Sequence, residues 1–200
     1  MADNDLHGNA PDSARAALLI VDVINDLEFP GADRLLEPAL RMSERLAEFK
    51  KGAGSVGIPS VYVNDNFGRW RSSRETLVSH ALESKVRGQE IVKRLRPAKD
   101  DYFILKPKHS GFYSTPLQIL LEYLSAERLI ITGLTADSCV MFTANDAYVR
   151  GYELYIPQDC TASIEEESRK ETLQHMHRVL NADISPSTEL DLERLTQRKT

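Results

Sequence analysis

Five short apolar runs, too brief for helices and without the polar alternation of a half-exposed strand, recur along this chain. They are Ala17-Leu-Leu-Ile-Val21, Ser60-Val-Tyr-Val63, Tyr102-Phe-Ile-Leu105, Arg128-Leu-Ile-Ile-Thr132 and Glu153-Leu-Tyr-Ile156. A strand that is apolar on both faces has to be covered on both faces, which points to a parallel sheet between helices. The intervening stretches supply those helices. Leu35 to Lys51 has helical periodicity ending at Gly52, and Thr115 to Tyr123, Asp137 to Val149 (before Gly151) and Glu165 to Leu180 follow the same pattern. Ala182-Asp-Ile184 reads as a sixth strand, while Asn64 to Ser73 reads as a polar loop carrying Trp70 between two arginines. Strands alternating with helices, joined by right-handed crossovers, predict an α/β fold. The expected architecture is a three-layer α-β-α sandwich around a six-stranded parallel sheet, doubly wound and Rossmann-like.

The chain has 200 residues, enough for one domain with a sizeable core. Residues 15–186 are expected to form that domain. The polar, turn-rich residues 1–14 read as a flexible N-terminal tail, and the charged residues 187–200 as a frayed helix or C-terminal tail. Lys+Arg 25 against Asp+Glu 30 gives a net charge of −5, which argues against nucleic acid or an anionic membrane as the main partner. No apolar stretch reaches membrane-spanning length, and no basic, then apolar, leader opens the chain. With only two cysteines and no disulfide framework, a reducing, cytoplasmic setting is expected.

In sheets of this kind, ligands bind beyond the carboxyl ends of the strands. Asp22 closes the first apolar run, Lys106 the third, and the fourth leads through Gly133-Leu-Thr to Cys139. Cys139 has two readings. Free cysteine is usually a small buried hydrophobe. Near the first turn of a helix, capped by Thr135 or Asp137, it is instead a thiol with a depressed pKa and a candidate nucleophile. Asp22 is a candidate proton carrier, and Asp26, one helical turn later, is a candidate helix cap. One of Lys106 and Lys108 is expected to point inward, where Asp22 is its natural partner. Cys160 reads as structural, with Asp159 bracing the loop beside it. His7, His80, His109, His175 and His177 are scattered, and the last two face different sides of one helix.

Three motifs, "ALLIVDVINDL" at 17–27, "ILKPKHSGFYSTPL" at 104–117 and "ITGLTADSCV" at 131–140, together resemble the isochorismatase-like cysteine hydrolase superfamily. That group includes nicotinamidases, carbamoylsarcosine amidases and other amide or ureido hydrolases. The resemblance runs from about Ala16 to Pro186. It implies a catalytic triad of Asp22, Lys106 and Cys139, and a cis peptide at Leu134–Thr135. The backbone N–H groups of Thr135 and Cys139 would then form an oxyanion hole. The implied reaction cleaves a small amide or ureido C–N bond through a thioester on Cys139, with no cofactor. Family members commonly form dimers or tetramers, so a homodimer or homotetramer is expected.

The departures from the family pattern are also informative. Nicotinamidases carry an Asp-x-His pair and a further histidine for a metal after the second strand. Here Val63-Asn-Asp-Asn-Phe-Gly-Arg69 leaves Asp65 and His80, too few for a three-ligand site, so no metal is expected. Ile24 and Leu27 stand where the family usually carries Gln and often Phe. Asn66, Arg69, Trp70 and Phe112 are the expected substrate-binding residues, with Phe67, Arg71 and His109 near them. An arginine suits a carboxylate and an aromatic suits a planar ring. Two rival functions keep the scaffold: vinyl ether hydrolysis of the isochorismatase type, using Asp22 without the cysteine, and a non-catalytic binding protein.

Overall fold

A computed structural model describes residues 13–83 and 85–198; residues 1–12 of the expected N-terminal tail lie outside the described residues. Six strands form a single parallel sheet: β1 (Ala16–Val21), β2 (Ser60–Asp65), β3 (Tyr102–Lys106), β4 (Arg128–Leu134), β5 (Glu153–Tyr155) and β6 (Thr161–Ala162). Their order is β3-β2-β1-β4-β5, with β6 beside β4. Every residue of β1 and of β4 is buried, as their continuous apolar runs require.

Successive side chains of a strand point to opposite faces, and β1 shows what that does to the core. Ala16, Leu18 and Ile20 pack with Tyr62 on one face. There they meet Leu35 and Leu46 of α1 (Ala32–Ser55), Leu77 of α2 (Arg74–Glu83) and Ile91 of α3 (Gln89–Arg94). Ala17, Leu19 and Val21 pack on the other face. Their partners include Leu121 of α4 (Leu117–Tyr123), Ala144 of α5 (Met141–Val149) and Met176 of α6 (Glu166–Leu180). Each fully buried Leu or Ile contributes about 1.5–3 kcal/mol, so the two apolar layers dominate the stability of the sandwich. The expected three-layer α/β architecture is present.

The strand order reverses between β1 and β4, which are neighbours in space although β2 and β3 intervene in sequence. Such a switch point opens a crevice at the carboxyl ends of the strands. Asp22 follows β1 immediately, and Cys139 lies five residues beyond Leu134, the last residue of β4.

Several element boundaries differ from the sequence expectation for local reasons. α1 does not end at Gly52 but continues to Ser55. The missing side chain at Gly52 instead makes room for Leu192, whose Cδ1 would stand 3.4 Å from a Cβ there. The loop expected from Asn64 starts later, because Asn64 and Asp65 pair with Leu105 and Lys106. The sixth strand is Thr161–Ala162, not 182–184. Asp183 makes an isolated bridge to Tyr155, while β6 pairs with Gly133 and Leu134. In the C-terminal segment, α7 (Leu192–Thr196) buries Leu195, and Arg128 donates to the carbonyls of Leu195 (2.9 Å) and Gln197 (2.7 Å). No helix among the described residues is long and apolar enough to cross a membrane.

Candidate active site

Parallel pairing brings the candidate residues together. Asp65 lies opposite Lys106 in the β2–β3 register, and Val21 opposite Gly133 in the β1–β4 register. The chain turns at Asp22 with φ 53°, a conformation that aspartate tolerates better than most residues. Asn64, fully buried, then fixes the segment that follows. Its Oδ1 accepts the Ile24 N–H at 3.0 Å, and its Nδ2 donates to the Ile24 and Asp65 carbonyls, both at 3.1 Å. The Asp65 N–H donates to Asp22 Oδ1 at 2.6 Å. Replacing Asn64 by alanine would leave buried groups of Ile24 unpaired, at about 1–3 kcal/mol each. We expect Asn64→Ala to lose about 2–4 kcal/mol in urea unfolding and to slow any reaction that uses Asp22.

Lys106 is the inward-pointing lysine and is completely buried, whereas Lys108 is exposed. Its ammonium stands 2.8 Å from Asp22 Oδ2 and 3.4 Å from Asp65 Oδ2, and donates to the Lys108 carbonyl at 3.1 Å. It also reaches Cys139 Sγ at 3.4 Å, and the Cys139 thiol is hydrogen-bonded to the Asp22 carboxyl. Carboxyl, ammonium and thiol therefore meet in one cluster. Burial alone would weaken the Lys106 cation, but Asp22, Cys139 and Asp65 together hold its pKa above the ordinary value. Burial raises the Asp22 carboxyl against the pull of Lys106, which makes it a stronger base than an ordinary carboxylate.

The thiol corrects the sequence expectation. Cys139 sits in a π-helical turn, Ala136–Val140, that leads into α5. Neither Thr135 nor Asp137 caps that turn through its side chain; Asp137 Oδ1 accepts the Ser163 hydroxyl at 2.8 Å instead. The thiol pKa is not depressed. Burial, reinforced by the negative Asp22 beside it, pushes it up to about 12, and Lys106 only partly offsets this. Cys139 therefore rests as a neutral thiol that needs a base. Cys160, the other cysteine, is fully buried in the α1 face of the core, and its thiol is also pushed up to about 12, mainly by burial.

The expected substrate-binding residues are dispersed. Asn66 is buried at the β2 end, where its N–H donates to the Lys106 carbonyl at 3.1 Å and its Oδ1 accepts the Gly68 N–H at 2.9 Å. Arg69 lines a cavity of about 220 Å³ with Ile24, Phe67, Leu77 and His80. Trp70 is 82% exposed. Phe112 belongs to the apolar layer against which Cys139 packs. Its ring is buried in the core, 4.7 Å from the Arg150 guanidinium and 6.1 Å from the Tyr152 ring. Asp26 pairs with His80 at 3.1 Å and accepts the Glu28 N–H, and so makes a turn rather than a helix cap. Asp159 braces its loop by accepting the Ser187 N–H and hydroxyl.

Two further neighbours complete the cluster. Asp65 completes the environment of Lys106, a contact readable only once the β2–β3 register is known. His109 lies 3.8 Å from Cys139 Sγ through Nδ1, and its ring stacks on Phe142. The Leu134–Thr135 peptide bond is cis, as the family resemblance implied. Among the described residues, no group of three His, Cys, Asp or Glu side chains is arranged to hold a metal ion.

Comparison with known proteins gives a consistent picture. The sequence pattern of the isochorismatase domain matches residues 16–186. An uncharacterized isochorismatase family protein of Bacillus subtilis is 37% identical over 177 residues, covering 88% of this chain and 97% of its own length. The crystal structure of N-carbamoylsarcosine amidase from Thermoplasma acidophilum superimposes with a TM-score of 0.62 at 27% identity, over 88% of this chain and 99% of that one. A cysteine hydrolase from Pseudomonas syringae shares the fold, with a TM-score of 0.72 at 17% identity over 90% of this chain and 92% of that one.

Proposed function

The chain belongs to the isochorismatase family of hydrolases, and we propose that it cleaves a small amide or ureido C–N bond through a thioester on Cys139. One observation carries this reading. The Asp22 carboxyl, Lys106 ammonium and Cys139 thiol are in mutual contact at the carboxyl end of the sheet. The similarity to a carbamoylsarcosine amidase, an enzyme named for a small carbamoyl substrate, supports the substrate class.

A thiol raised to about 12 is a poor nucleophile until its proton is removed. Asp22, itself raised by burial and hydrogen-bonded to that thiol, is the base that removes it as sulfur attacks the carbonyl. Lys106 keeps Asp22 in place and offsets negative charge. The N–H groups of Thr135 and Cys139 are the proposed donors to the oxyanion. The C–N bond then breaks as a proton is delivered to the departing nitrogen, water hydrolyses the thioester and gives a proton back in its place, and the thiolate recovers its own proton from Asp22.

A second reading draws on the same raised carboxyl. An Asp22 carboxyl raised by burial is suited to act as a general acid on a vinyl ether, with no role for sulfur. Cys139→Ala separates the two. On a panel of small primary amides and ureides, the variant should lose at least about 1,000-fold in kcat while Asp22→Asn loses a comparable amount. Retention of hydrolysis in Cys139→Ala, with loss in Asp22→Asn, would transfer the function to the second reading.

A further inference from the structure

We propose that His109 is a further catalytic residue, carrying protons on the open side of the Cys139 thiol while Asp22 acts on its buried side. This rests on Cys139 being the nucleophile, as proposed above.

Beside the Ser138 hydroxyl at 4.0 Å, Sγ has three ionisable side chains around it. The Asp22 carboxyl and the Lys106 ammonium, at 3.4 Å, are buried. The third is His109, whose Nδ1 lies 3.8 Å from Sγ and whose side chain is exposed. Its ring is supported by Phe142 in the first turn of α5, with centroids 5.3 Å apart. Substrate reaches the sulfur from solvent, so it arrives on the side that His109 occupies. Lys106 is a poor proton donor there, because three acidic neighbours hold its pKa up. Asp22 would otherwise have to take the thiol proton and release it to the departing nitrogen within one half-reaction. A second carrier removes that conflict.

The proton balance closes. Sulfur attacks the carbonyl carbon, and the thiol proton passes to Asp22. The C–N bond breaks, its electron pair goes to nitrogen, and the His109 imidazolium supplies the proton that makes ammonia or an amine. Water then attacks the thioester and gives its proton to the now neutral imidazole. The C–S bond breaks, and Asp22 returns its proton to the sulfur. Acid and thiol end as they began.

The titratable groups facing the thiol are Asp22 after β1, Lys106 from β3 and His109 from the loop after β3. Asp65 at the end of β2 acts through Lys106. Two measurements test the proposal, using the full chain. Iodoacetamide alkylation of the Cys139 and Cys160 peptides is followed from about pH 5 to 9 in wild type, His109→Gln and Asp22→Asn. The pH profile of Cys139 alkylation in wild type and in Asp22→Asn is expected to differ in shape from that in His109→Gln. Hydrolysis of 4-nitroacetanilide and 4-nitrophenyl acetate, which share an acyl group, is then compared. In kcat/KM, which reports acylation and not the thioester hydrolysis that both substrates share, His109→Gln should lose about 100-fold on the anilide, whose nitrogen must be protonated, and less than about threefold on the ester. Superimposable alkylation profiles in wild type and His109→Gln, or equal losses on both substrates, would overturn the proposal. Cys139→Ala retaining hydrolysis of both substrates would instead show that the nucleophile reading had failed.

Discussion

Replacing Lys106 by methionine is expected to lower the folding free energy by about 3–5 kcal/mol, because it leaves a buried carboxylate without its cation. For a chain of this length that amounts to a fall of roughly 10 °C in the thermal midpoint. Methionine has nearly the volume of lysine, so the loss does not come from a cavity. It comes from Asp22, which burial already raises and which, among the described residues, Lys106 alone contacts as a cation, at 2.8 Å. The pH dependence has a definite sign. In the native protein the Lys106 pKa is raised above 10.5, so its stabilisation is complete below that pH and is lost as pH rises through the folded value. In Lys106→Met that alkaline limb should disappear, and the deficit should shrink as pH falls and Asp22 takes up a proton. Urea unfolding at acid, neutral and alkaline pH measures all three effects. A deficit under about 1 kcal/mol at neutral pH would mean the pair is solvated and weak.

Gly133→Ala is the second substitution with a large expected effect. Gly133 has φ +106°, and a Cβ there would lie 2.1 Å from the Val21 carbonyl oxygen and 2.8 Å from the Val21 nitrogen. Both are backbone atoms of the paired central strand, so no side chain can move aside. β1 and β4 would have to separate at the residue before Asp22. We expect a loss of about 3–5 kcal/mol, at the large end for single substitutions, together with slower reaction at Cys139. Gly151→Ala is the control. It also has positive φ, +83°, but nothing lies within 4 Å of its Cβ, so its cost should be only about 1 kcal/mol. Similar unfolding midpoints for the two variants would show that the close approach of β1 and β4 is not rigid.

The layered fold was legible because its signal is burial. β1 and β4 have no exposed residue, so their sequences are uninterrupted apolar runs. The sixth strand was missed because two residues, Thr161 and Ala162, carry no such run and pair only at the end of β4. Asp22, Lys106 and Cys139 were legible as chemistry at strand ends, and more firmly through three motifs in the family's order. The state of the thiol was not. A helix start predicts an anion-friendly site, but that inference omits burial and the sign of the neighbouring Asp22, which outweigh it. The burial of Phe112 was not legible, because its nearness to Lys106 in sequence says nothing about which way the loop after β3 turns. Gly111, whose Cβ would clash with the Val63 side chain, carries the chain close over the core there.

A thioester on Cys139 can be trapped during turnover. Wild-type protein turning over 4-nitrophenyl acetate is quenched in acid, digested and analysed by peptide mass spectrometry, with Cys160 as an internal control. The predicted result is an acetyl group on the Cys139 peptide, absent from the Cys160 peptide, that decays at the turnover rate when substrate is removed. Steady turnover with Cys139 unmodified, continuing unchanged in Cys139→Ala, would contradict the account.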